Sequence, residues 1–272
     1  MTAIERRLSG KVAIVTGAGS RADGIGNGRA TAVLLARHGA KVTLLDTVRD
    51  WVEATAAMIE AEGGECLVVE ADVTDPAACA AAVAATTRHW LRLDILVNNV
   101  GIGGPPGTAV EVDPAAWDQA MRVNVTSMML MAKYAIPEMR KLGSGAIVNI
   151  ASVAGIAGGH PALLYPTSKG AVVNMTRAMA AHHGQEGIRV NCIAPGMVYT
   201  PMVYSRGMSA EMREARRNRS LLKTEGTGWD VGNAVLYLVS DEARWVTGVV
   251  LPDDAGATAG ASVLPVPVAG RG

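Results

Sequence analysis

The sequence predicts an α/β protein, a single domain on a doubly wound parallel sheet of seven strands. Three observations carry that reading. Short, nearly continuous apolar runs alternate with longer stretches of helical spacing from residue 11 onward, and runs of that kind become parallel strands buried on both faces. The first run ends in a glycine-rich turn and passes into a helical stretch, as nucleotide-binding sheets begin. The chain has 272 residues, of which 49% are hydrophobic and 18% charged, enough to cover one large core.

Taken in order, residues 11–16 form the first strand and stop at Gly17. Residues 29–38 carry helical spacing up to Gly39, 41–46 form the second strand, and 49–62 form a helix closed by Gly63 and Gly64. The third strand is 65–70. Asp75 and Pro76 then supply an N-cap and a first-turn proline for a helix running to about Trp90. The fourth strand is 93–98. One long helix spans about 114–141, with Pro137 near its end. Strands at 145–151 and 188–194 flank a helix from about 162 to 183, a further helix covers 228–240, and a short last strand covers 248–251. The domain is expected over residues 1–258, with a substrate lid at about 197–224 and a C-terminal tail at 259–272 that is too small and proline-broken to form a core.

Composition narrows the function. Lysine plus arginine number 25 and aspartate plus glutamate 25, which argues against nucleic acid or an anionic membrane as partner. Cys66, Cys79 and Cys192 have no metal-ligand spacing. Cys66 and Cys192 read as small buried hydrophobes, and a disulfide framework is not expected. The N-terminal residues Glu5, Arg6 and Arg7 precede no apolar run of signal length, and no stretch approaches a membrane span. The expectation is a soluble, cytoplasmic protein without a metal site.

The chemistry points to Tyr165, Lys169 and Ser152. Positions i and i+4 share a helix face, so the Lys169 ammonium can lie beneath the Tyr165 ring. A nearby cation favours phenolate and lowers the tyrosine pKa, and such a phenol can exchange a proton with an alcohol or ketone oxygen. At the other end of the chain, Gly17, Ser20, Gly26, Asn27 and Gly28 lie on the first strand-to-helix junction, where backbone N–H groups can hold a pyrophosphate. Asp46 closes the second strand, where a carboxylate accepts the adenosine ribose hydroxyls and repels a 2′-phosphate. Arg21 and Arg49 are the opposing signal. Asp72 and Val73 end the third strand, suited to the adenine amine and face. Asn98, Asn99 and Gly101 end the fourth, where asparagines can tie strands together.

Together these stretches resemble a short-chain dehydrogenase/reductase of Rossmann-type fold over nearly the whole chain, from Leu8 to Gly256. The resemblance implies a proton relay. Tyr165 is its general acid/base, Lys169 tunes the phenol and holds the nicotinamide ribose, Ser152 places the substrate oxygen, and Asn124 holds a relay water. Pro195, Gly196, Val198 and Thr200 would frame the nicotinamide amide and phosphates. Two departures stand out. About five extra residues precede Gly26 if Gly26-Asn27-Gly28 is the second half of the turn, the register preferred over Gly24-Ile25-Gly26. Pro252-Asp253-Asp254-Ala255-Gly256 replaces the usual V-D-G-G.

The expected function is hydride transfer between a nicotinamide cofactor, NAD in preference to NADP, and a secondary alcohol or ketone. An NADPH-linked 3-oxoacyl-thioester reductase and a non-enzymatic cofactor sensor or scaffold are the alternatives. His160 lies on the pocket rim and is read as solvent-facing or bonded to backbone, not catalytic. The methionines of the long helix suit core or subunit packing, and the resemblance implies a homodimer or homotetramer.

Overall fold

Strand β1 (Val12–Thr16) is buried along its whole length, as five consecutive residues without a charge require. In the computed structural model, which describes residues 6–205 and 207–260, it lies in the interior of a seven-stranded parallel sheet. The other strands are β2 (Lys41–Asp46), β3 (Cys66–Glu70), β4 (Ile95–Asn98), β5 (Gly145–Ile150), β6 (Ile188–Pro195) and β7 (Val250–Asp253). Their spatial order is β3-β2-β1-β4-β5-β6-β7. The chain builds outward from β1 to β3, then crosses back to place β4 on the other side of β1. The loops after β1 and β4 therefore part in opposite directions and leave a crevice at the carboxyl edge of the sheet.

Successive strand residues serve opposite faces. Ala13 and Val15 join one apolar cluster with Val42, Leu44, Val97 and Val148, covered by helices α1 (Asn27–Arg37), α2 (Arg49–Ala61) and α9 (Gly228–Val239). Ile14 joins the other with Leu45, Leu96 and Ile147, beneath α3 (Pro76–Trp90), α5 (Ser127–Leu142) and α6 (Leu164–His183). With no phenylalanine in the chain, methionine fills much of the second layer. Met128, Met131 and Met139 are fully buried, while Met129 faces outward.

A polar thread crosses this second layer. Asn98 on β4 donates to Asn149 Oδ1 on β5 at 2.8 Å, and Asn149 donates to Thr176 Oγ1 on α6 at 3.0 Å. All three are buried, so each depends on its neighbour in place of water.

Three sequence expectations change. The long helix is interrupted. It comprises α4 (Pro114–Met121), capped by Asp113, a π turn at Arg122–Thr126, and α5. In that turn the Ser127 N–H reaches back to Arg122 O, a widened spacing that apolar periodicity does not reveal. The last strand begins at Val250, because Gly248 turns the chain at φ +73 while its N–H is tied to Val190 O. Cys66 is only half buried, since β3 is an edge strand, whereas Cys79 and Cys192 are buried. Desolvation pushes all three thiols up to about 11, which disfavours the reactive thiolate.

Over the carboxyl edge lies the expected lid segment. It forms a four-residue helix α7 (Pro201–Tyr204) and α8 (Ala210–Arg217), which Ser209 caps. The expected tail falls outside the described residues from 261 onward. Among the described residues, no helix is long and apolar enough to cross a membrane.

Candidate active site

The turn after β1 is shaped by close backbone approach. Gly17 has φ +64. A Cβ on Gly28 would stand 2.0 Å from Gly17 O and 2.6 Å from Asn99 Nδ2, so α1 rests directly on the turn and no larger residue fits. Asn99 fastens the same point from β4, its Nδ2 donating to Thr16 O and Gly17 O at 3.2 and 3.0 Å. Helix α1 begins at Asn27 with Gly26 as N-cap, which agrees with the preferred register. A Cβ on Gly26 would meet nothing within 4 Å, and no side chain caps the helix. The Asn27 Oδ1 is buried without a partner. Open space before an uncapped helix start is what a pyrophosphate needs, so the residues fit a dinucleotide.

A cleft of about 210 Å³ follows from there along the sheet edge. Of the expected residues, Gly17, Ser20, Gly26, Asn27, Gly28, Asn99 and Gly101 line it from one side. Ser152, Tyr165, Lys169, Pro195, Gly196, Val198 and Thr200 line it from the other. A second cavity of about 330 Å³ shares Gly17, Gly19 and Asn99 with the cleft and is lined by Asp46, Asp72 and Val73. Its dimensions and acidic floor suit an adenosine. The Asp46 carboxylate is held in place, Oδ2 accepting from Gly19 N at 3.1 Å and Oδ1 from Thr47 N at 2.8 Å. Arg49 turns away and pairs with Glu53 at 2.7 Å. Arg21 lines both cavities.

The residues expected to handle the proton converge at the far end of the cleft. Tyr165 and Lys169 stand one turn apart on α6, with the Lys169 Nζ 5.8 Å from the Tyr165 ring centroid. The ammonium is buried and donates to Ile150 O, the last carbonyl of β5, at 3.0 Å. Ser152 follows β5, its hydroxyl capping a 3-10 turn through Ala154 N at 3.2 Å. Its hydroxyl is the group that favours the Tyr165 phenolate. Asn124 occupies the π turn. Its Oδ1 accepts from Ile102 N at 2.8 Å, and its Nδ2 donates to Ile102 O at 2.9 Å and Ser168 Oγ at 3.0 Å. Ser168 in turn donates to Tyr165 O at 2.8 Å. The amide thus locks the loop after β4 to the first turn of α6. With both amide hydrogens engaged, Asn124 can take part in a water relay only through an acceptor oxygen.

The electrostatics correct one expectation. The Tyr165 phenol is raised above its ordinary value, because burial penalises phenolate more than the Ser152 hydroxyl relieves it. Lys169 is itself lowered to about 8 by burial. The helical spacing predicted the pairing, but it held no information on how dry the site is. Of the two readings of His160 the backbone one holds, its Nδ1 lying 3.0 Å from Ala162 O, and its ring stands 5.1 Å from that of Tyr165.

Two roles escaped sequence reading. Arg29, read only as part of a helix, is buried and donates to Gly24 O at 2.7 Å, Thr55 Oγ1 at 3.0 Å and Trp51 O at 3.2 Å, so it clasps the extended turn to α2. The arginines of α8 are engaged within the protein. Arg213 and Arg216 share the buried Glu225 at 2.9 and 2.6 Å, and Arg216 also donates to Val198 O at 3.0 Å. A strongly amphipathic charged helix gave no sign of which carboxylate it would meet.

Residues 20–258 match a family described as enoyl-(acyl carrier protein) reductase. The chain is 38% identical over 260 residues to 2-(S)-hydroxypropyl-CoM dehydrogenase 3 of Xanthobacter autotrophicus, covering 94% of this chain and 100% of that protein. It is 37% identical over 261 residues to levodione reductase of Leifsonia aquatica, covering 93% and 96%. A solved structure described as a short-chain dehydrogenase/reductase from Burkholderia xenovorans superposes with a TM-score of 0.89 at 41% identity, covering 94% of this chain and 99% of that one. A 7α-hydroxysteroid dehydrogenase complexed with NADH and 7-oxo glycochenodeoxycholic acid superposes with a TM-score of 0.85 at 33% identity, covering 93% and 96%.

Proposed function

From the premise that this chain belongs to the short-chain dehydrogenase/reductase family, we infer that it is an oxidoreductase interconverting a secondary alcohol and a ketone, with Tyr165 as general acid/base. Relatives named levodione reductase and meso-2,3-butanediol dehydrogenase support that reaction class. The observation that carries the assignment is the convergence of Tyr165, Ser152 and Lys169 on one cleft with the glycine turn.

A bound nicotinamide would accept or supply the hydride at its ring carbon, and its oxidised, cationic ring would favour phenolate. The chain's own residues do the rest. Ser152 donates to the substrate oxygen and holds it against the phenol. In the oxidative direction the Tyr165 phenolate takes the hydroxyl proton, and in the reductive direction the phenol returns it. Lys169, fixed on Ile150 O, presents its charge beside the ring and its remaining hydrogens to the ribose. Asn124 keeps the π turn and α6 in register, so a relay water would rest on its acceptor oxygen.

The family works with nicotinamide cofactors. NAD is the preferred one in this reading, because Asp46, held by Gly19 N, lines the adenosine cavity while Arg49 is paired with Glu53. Initial rates with NAD(H) should exceed those with NADP(H) by at least tenfold at equal concentration, and a reversed preference would overturn the role given to Asp46. Substrates are best sought among cyclic, aromatic, steroid-like and sugar alcohols, followed by NADH absorbance. On any substrate so found, Tyr165→Phe should retain NADH binding and lose turnover by about 10²- to 10⁴-fold. Equal turnover in the variant and the parent would refute the catalytic assignment.

A further inference from the structure

The five residues that lengthen the glycine turn, 21–25, are not idle. They make a seat for α7. The Tyr204 hydroxyl donates to Asp23 O at 2.8 Å, across 181 residues of sequence. Gly24, at φ +117, leaves room for that hydroxyl, because a Cβ there would lie 2.0 Å from Tyr204 Oη. From below, Arg29 holds the same loop through Gly24 O. From above, the Tyr204 ring packs 4.9 Å from Tyr199, and Arg213 lies 4.0 Å over Tyr199 while bonded to Glu225. Both sides of the contact are therefore anchored in buried structure. The residues just before Tyr204, namely Pro201, Met202 and Val203, line the cleft itself.

We propose that Tyr204 is a positioning residue for the dinucleotide: by fastening α7 to the extra residues of the turn it closes the cleft over the cofactor, and undoing that contact governs cofactor release. This rests on the reading of the cleft as a nicotinamide dinucleotide site. Lifting α7 exposes Pro201–Val203 and the uncapped start of α1 together, so phosphate contacts and the lid open as one unit. A neutral hydrogen bond contributes modestly, which sets the scale of the effect.

Release of NADH, and separately of NADPH, is measured by stopped-flow fluorescence on the full chain, its Tyr204→Phe and Gly24→Ala variants, and the double variant. Each single variant should release cofactor about three- to tenfold faster. The KM for cofactor should rise without a fall in kcat. The double variant should be no faster than the faster single, because both changes break one contact. Release from Tyr204→Phe at the parent's rate, or effects of the two changes that multiply, would overturn the latch. A parent that binds neither dinucleotide would overturn the functional reading instead.

Discussion

At Lys169 burial works against the fold. Its pKa is lowered from 10.5 to about 8 by desolvation. Below pH 8 the folded protein carries a buried charge that the unfolded chain would hydrate, so the penalty is fully present there. Between about 8 and 10.5 the unfolded chain binds the proton and the folded one does not, so stability rises with pH across that window. Lys169→Met, which keeps the volume and abolishes the charge, should be roughly 2 kcal/mol more stable than the parent at pH 7, after allowing for the lost bond to Ile150 O. That difference should shrink toward zero as pH approaches 10. Denaturant melts at the two pH values check it, and a pH-independent difference would refute burial as the cause. The pairing of Tyr165 with Lys169 in the candidate site was legible in sequence, because a tyrosine and a lysine four apart on a helix must share a face. The sign of the Tyr165 shift was not legible. It depends on how β5, α6 and the loop after β4 exclude water, and spacing along one helix carries none of that.

Among the elements, the turn between β1 and α1 separates folding from binding most clearly. Gly28 is pressed against Gly17 O, whereas Gly26 faces open space. Gly28→Ala should destabilise the protein by about 1–3 kcal/mol through overpacking and weaken dinucleotide binding with it. Gly26→Ala should leave the melting temperature nearly unchanged and still weaken NADH binding, because its methyl group enters the open space proposed for phosphate. Calorimetry and fluorescence titration of the two variants distinguish them, and identical behaviour would contradict the register. The strands and most helices were readable because alternation and capping are local, as at Asp75 before Pro76 and at Asp113 before Pro114. The π turn was not readable, since one displaced hydrogen bond leaves the apolar pattern of α4 and α5 intact. Nor was the meeting of α7 with the glycine turn. It joins segments 181 residues apart, and neither carries a local mark of the other.

For the molecule as a whole, the cleft draws on both halves of the sheet. β1 and β2 supply the glycine turn and Asp46, while β5, β6 and α6 supply Ser152, the segment from Pro195 and Tyr165. A dinucleotide bound there braces the halves against each other and binds only the folded state. NADH at a hundredfold excess over its dissociation constant should therefore add about 2.7 kcal/mol, a rise of roughly 5–10 °C in melting temperature for a chain of this size. Tyr165→Phe should show the same rise, since it keeps the cleft. An unmoved transition would mean the cleft does not take the coenzyme. The joint between those halves has an implication for how the sequence can drift. Asn98, Asn149 and Thr176 pass hydrogen bonds from β4 to β5 to α6 with no solvent to stand in for a missing member. A lone apolar replacement strands its neighbour's polar atom, so viable lineages should cross this position by compensated steps and treat the three sites as a single heritable character.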